Sequence, residues 1–241
     1  MVRWGVKKVY DNEVSISYDN VINLALNKIL SKKIVSNGFE KLFTLSKVVK
    51  EISSVSGVRY PPIIVIPEAR ILEHSDGVYA IIYANISYRK WDGRLHPVVE
   101  TYLPFLLYAE NNVLKAVFAH ELLHYIYLAI KYLREEHLVT LDIYTSNYSG
   151  RVFLDEVYQV RPELVFKDRS YVKMLTLFDK VLSKSKVSGG IKRNWIEKGK
   201  PSKKYTSREI RLRISIEDWS SIFFPDTVLE RVRDLIDEYV G

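Results

Sequence analysis

The sequence predicts an α+β protein in which a small mixed or antiparallel sheet packs on one long helix, with further helices around it. Three observations predict it. Short strand-like runs bounded by Pro, Gly and Asp cluster between residues 63 and 107. A segment from about Val113 to Arg134 is apolar nearly all round, and such a helix belongs inside a protein. Segments before and after it carry the periodicity of amphipathic helices.

Taken in order, Val2–Tyr18 alternates weakly around Asp11-Asn12 and reads as a hairpin. A helix follows over Val21–Leu30, with Asn20 as its N-cap. A second helix is expected over Phe39–Ile52, after an Asn37-Gly38 break, with Leu42, Leu45, Val48, Val49 and Ile52 on one stripe. Three strands come next: Ile63–Ile66, Val78–Tyr88 and Val98–Leu107. Trp91-Asp92-Gly93 forms the turn between the last two. Pro104 calls for an edge position, a bulge or an early end of the third.

The long helix starts after Glu110-Asn111-Asn112, and Lys131 and Arg134 suit the dipole at its C-terminus. After a Ser-, Asn- and Gly-rich loop (Thr145–Gly150), a short helix is expected over Phe153–Val160 and an amphipathic one over Tyr171–Leu182. Ile210–Ile216 is strand-like. A last helix covers Val228–Tyr239, where Thr227 and Glu230 have capping-box spacing.

Composition narrows the function. The 241 residues can bury a sizeable core, and the absence of cysteine excludes disulfides, thiolate metal sites and thiol catalysis. No uninterrupted apolar run approaches the ~18–20 residues of a membrane span. The charged N-terminus does not read as a signal peptide, so a cytoplasmic protein with no membrane partner is expected.

The chemistry lies in His120-Glu121-Leu122-Leu123-His124. Residues four apart share a helix face, so both imidazoles can reach one metal ion. Glu121 sits about 60° round from His124, within reach of a water on that metal. Burying three ionisable groups in an apolar helix is costly unless an ion compensates them. The set predicts bound Zn2+ and metal-assisted hydrolysis, with Glu121 as general base.

Zinc needs a third protein ligand. His137, 13 residues past His124, reaches the metal only if the chain reverses after Arg134, and Asp142 needs the same reversal. On the expected Phe153–Val160 helix the apolar stripe is Phe153, Val157 and Val160, continuing to Leu164. Glu156 lies about 40–60° from that stripe and Asp155 roughly opposite, so Glu156 faces the core.

The motif with its uncharged flanks, Val117-Phe118-Ala119 before and Tyr125-Ile126 after, resembles the active-site helix of the zincins, the His-Glu-x-x-His zinc metallopeptidases. The extended subclass with a glycine and a third histidine downstream is excluded, because Tyr127 and Ile130 occupy those positions. A glutamate on a neighbouring helix is similar to the gluzincin branch, and the resemblance implies Glu156 as third ligand, with His137 as the alternative. The chain departs from that branch in having Gln159 and Val160 where an aspartate would stand. The resemblance spans about 63–164. It implies a zincin-like fold, a peptide or protein substrate, and a sheet edge, best matched by Val78–Tyr88, along which that substrate lies. For the oxyanion donor Tyr144, Tyr148, Tyr158 and Arg161 are all candidates.

The net charge of +7 is concentrated. Residues 183–213 hold Lys184, Lys186, Lys192, Arg193, Lys198, Lys200, Lys203, Lys204, Arg208, Arg211 and Arg213 against Glu197 and Glu209. This segment reads as a solvated connector. The rival reading is a nucleic-acid-associated or regulatory protein in which these cations track phosphates, with Trp195 and Tyr205 stacking on bases. The expected organisation is an N-terminal hairpin and helical part (1–56), a zincin-like catalytic domain (57–182) and a basic connector with a C-terminal strand and helix (183–241).

Overall fold

The computed structural model describes residues 9–11, 14–73, 79–134, 140–141, 160–206, 212–213 and 216–240. Within them the architecture is mixed α+β. Strands β1 (Val9–Asp11) and β2 (Val14–Ser17) form the antiparallel hairpin expected at the start. Helix α1 (Asp19–Leu26) is preceded by Tyr18 rather than capped by Asn20, which lies inside its first turn.

Helix α2 (Lys32–Ser56) runs straight through Asn37-Gly38, where a break was expected. Gly38 is there for close approach and not as a stop. A Cβ on it would stand 2.0 Å from the Tyr18 hydroxyl and 2.6 Å from Leu103 Cδ1. Tyr18 crosses at this point to donate a hydrogen bond to the Val35 carbonyl, 3.2 Å away. The predicted stripe of α2 is buried throughout. Gly57, at φ 69°, ends the helix in the left-handed conformation that glycine adopts most readily.

Strand β3 (Ile63–Ile66) matches its expected bounds. Strand β4 (Ala69–Glu73) was not foreseen. The expected strand 78–88 is two strands, β5 (Tyr79–Ile82) and β6 (Ala84–Trp91), which belong to different sheets. The chain changes sheets at Tyr83, whose ring stacks on Phe105 with centroids 4.8 Å apart. Strand β7 (Arg94–Tyr102) ends where helix α3 (Leu103–Tyr108) begins. Pro104 sits in the first turn of α3, where its missing N–H has no helical partner to lose. Between β6 and β7, Asp92 (φ 49°) and Gly93 (φ 77°) are both left-handed, the two-residue turn that suits the twist of a hairpin.

The main sheet has the order β1-β2-β3-β7-β6. Strands β2, β3 and β7 run parallel, and β6 is an antiparallel edge. Helix α4 (Asn111–Leu133) packs against β6 and α2, and almost all of it except its first turn and its C-terminal end is buried. By length and apolar content α4 is the one described helix suited to crossing a membrane. Yet 83% of its apolar window is buried inside the protein, as in the core helix of a globular domain.

Beyond it come β8 (Thr140–Leu141) and α5 (Pro162–Val165). The expected helix over 171–182 is broken at Leu177 into α6 (Arg169–Thr176) and α7 (Phe178–Lys184). The basic stretch continues as α8 (Val187–Ile191), a π-helical turn (Lys192–Ile196) and β9 (Ser202–Thr206). Strand β9 pairs parallel to β4 in the second sheet, of order β5-β4-β9. Residues 187–206 thus form packed structure rather than a solvated connector. Trp195 is fully buried, and its indole N–H donates to the Pro201 carbonyl at 2.8 Å.

The strand expected over Ile210–Ile216 appears as β10 (Leu212–Arg213), paired with β8. Helix α9 (Ile216–Trp219) and the segment after it are tied to β7. There Leu95 N–H donates to the Ser221 carbonyl at 2.9 Å, and Phe223 N–H to the Leu95 carbonyl at 2.8 Å. Helix α10 (Asp226–Val240) then packs on α4. Because α10 begins at Asp226, Thr227 lies within its first turn and not at the cap.

Candidate metal centre

The two motif histidines converge. His120 Nε2 and His124 Nε2 stand 3.1 Å apart on the same face of α4, with ring centroids 4.7 Å apart and planes nearly perpendicular. Two nitrogens at the usual Zn–N distance of about 2.0–2.1 Å from one tetrahedral ion would be separated by roughly 3.3 Å. The observed spacing fits that requirement within a few tenths of an ångström. It is also the length of an N–H···N hydrogen bond between imidazoles, which a metal would replace.

Burial around the pair is uneven. His124 and Glu121 are almost wholly buried, whereas His120 is partly open. A helix of Val, Leu, Ala and Phe supplies the surrounding wall, since α4 buries both the motif face and the opposite one. The Tyr60 hydroxyl donates to the Phe118 carbonyl at 2.8 Å, just before the motif. Burial, with the nearby Glu121 carboxylate adding to it, holds the Tyr60 phenol well above its ordinary value. On the open side, Phe178 from α7 stacks flat on His120, centroids 4.4 Å apart and planes within 4° of parallel.

Of the residues singled out in the sequence, His120, Glu121, His124 and Arg161 lie among those described. Glu156, His137 and Asp142 fall outside the described residues, as do Tyr144, Tyr148 and Tyr158. Among the described residues no third His, Asp or Glu joins the histidine pair. Arg161 stands at the N-cap of α5 and lines a cavity at the far end of α4.

Sequence reasoning missed the polar cluster between the two sheets. Glu100 on β7 is buried and accepts from Arg70 on β4 at 3.0 Å and from Arg89 on β6. The Arg70 guanidinium lies over the rings of Tyr102 and Tyr205, at 5.1 and 5.3 Å. Tyr102 in turn donates from its hydroxyl to Asn85. Nothing local marks these residues, since their partners come from four different strands. Phe178 had a legible signal, as part of the apolar stripe expected over 171–182, but its contact with His120 had none.

The basic face also changes in character. Lys184, Lys186, Lys192, Arg193, Lys198, Lys203 and Lys204 are exposed. Trp195 is inside the protein and Tyr205 is flanked by Arg70 and Lys203, so the two aromatic residues expected to stack on bases are otherwise engaged. Comparison with family models, with curated proteins and with solved structures returned no match.

Proposed function

We propose that this chain is a zinc-dependent metallopeptidase of zincin-like, gluzincin-like architecture. The observation that carries the reading is the 3.1 Å convergence of His120 and His124 on one face of a buried helix, with Glu121 buried in the next position. His120 and His124 would hold the metal, and Glu156 would complete the site, with His137 as its rival. Zinc held there would supply Lewis-acid polarisation of a scissile carbonyl and would lower a water's pKa towards about 7.

The chain's own residues do the rest. Glu121 accepts a proton from the attacking water and delivers it to the leaving amine. Its near-complete burial keeps bulk water from competing for that proton. Among the described strands β6, packed against α4, is the outer one of the main sheet, and an extended peptide could add to it as a further strand.

Metal analysis and a peptide-hydrolysis assay on Glu121→Gln test this. Full zinc content with hydrolysis reduced by about 10²-fold or more supports the general-base role. Unchanged hydrolysis sinks it, and a wild-type chain that binds no divalent metal sinks the whole reading. The rival nucleic-acid reading keeps only electrostatic support, from the exposed cations of α7, the π-helical turn and β9.

A further inference from the structure

A cavity of about 420 Å³ opens beside the C-terminal half of α4, between that helix, α5 and α10. Its wall and floor are apolar, formed by Ile130, Leu164 and Leu235 among others, and Tyr127 forms part of its lining. Arg134 and Arg161 both line it and are both exposed, whereas no acidic side chain is among its described lining residues. Lys131 also contributes, its ammonium 5.4 Å from the centre of the Tyr127 ring.

The cavity's position on α4 relates it to the histidines. At 100° per residue, Tyr127 and Lys131 both fall within about 20° of His120 around the helix, and Arg134 within about 40°. The face that carries the imidazoles therefore meets the cavity along its Tyr127–Lys131 edge, while Ile130, about 80° round, forms the wall beyond. One turn of helix rises about 5.4 Å, so the Lys131 level lies roughly 10 Å beyond His124. An extended peptide spans that in about three residues, at ~3.3 Å each.

We infer that this cavity receives the C-terminal end of a peptide substrate, with a bulky apolar last residue against Ile130, Leu164 and Leu235 and its free carboxylate on Arg134 and Arg161. The inference rests on the metallopeptidase reading and sharpens its substrate class to peptides cut a few residues from their C-terminus. Guanidinium groups suit this role, since their forked donors match a carboxylate and leave the apolar body to the pocket. A volume of this size also lies within the usual range for small-ligand sites.

The test uses the full chain carrying Glu121→Gln, so that bound peptide is not consumed. Two fluorescent peptides ending in Phe, one a free acid and the other an amide, are titrated by anisotropy. The acid should bind at least tenfold more tightly. Arg134→Gln/Arg161→Gln should bring it down to the affinity of the amide, and Arg134→Lys/Arg161→Lys should restore part of the difference. Both arginines are exposed, so melting temperatures should stay close to that of the parent chain. Equal binding of acid and amide overturns the inference, as does decanoate binding tenfold more tightly than the peptide acid. Wild-type, zinc-loaded chain that binds the acid selectively but cleaves neither peptide would instead overturn the metallopeptidase reading and leave the pocket standing.

Discussion

The imidazole of His120 lies flat against the ring of Phe178, which reaches it from the first turn of α7. Stacking of this kind fixes the ring plane of a side chain that burial alone leaves partly free, because His120 is the more open of the two histidines. The ring plane decides where the nitrogen lone pair points, so α7 takes part in shaping the site from outside the motif.

Phe178→Leu should therefore weaken zinc binding by about tenfold, as loss of a supporting contact around a metal ligand usually does. Chelator competition measures this, with circular dichroism to show that the helices persist. An unchanged zinc affinity would mean that the stacking serves packing alone.

The third ligand separates into two single substitutions. Glu156→Ala should abolish stoichiometric zinc, whereas His137→Ala should retain it, as read by metal analysis after dialysis. The opposite outcome would assign the role to His137. Zinc kept by both would exclude each of them.

At Gly38, the space that a methyl group would need is already taken by the Tyr18 hydroxyl and Leu103. Gly38→Ala should destabilise the fold by about 2–3 kcal/mol, in spite of alanine's better helix propensity. Adding Tyr18→Phe should recover part of that loss, because the closest clash is with the hydroxyl oxygen. Urea unfolding of the single and double variants decides it.

The Glu100 carboxylate is shared by two guanidinium groups, and its side chain is only 3% exposed. Glu100→Ala leaves Arg70 and Arg89 facing one another without it, and should cost about 3–5 kcal/mol. Arg89, with a side chain 40% exposed, can turn to water, so Arg89→Ala should cost about 1 kcal/mol or less. Similar losses for the two variants would show that Arg89 is held far more firmly than its exposure suggests.

Much of this protein was legible in the linear chain, because the signals concerned are local. Spacing along one helix placed His120, Glu121 and His124 together, and the buried stripe of α2 followed from its period. The Asp92-Gly93 turn followed from the two residues that adopt left-handed conformations at low cost. Local pattern failed where a distant partner overrode it. Asn37-Gly38 reads as a break until Tyr18 and Leu103 are seen to require the missing Cβ. Residues 78–88 read as one strand because alternation does not record which sheet a residue joins, and the change at Tyr83 depends on its packing against Phe105.

Within the site the division is the same. The motif's own geometry is a property of one helix turn, so the sequence by itself determined the pair of imidazoles and the carboxylate beside them. The stacking of Phe178 on His120, the hydrogen bond from Tyr60 to Phe118 and the sharing of Glu100 between two arginines join residues 11 to 58 positions apart. Only the tertiary structure decided those, because which distant side chains meet depends on how whole elements bury their apolar faces against one another.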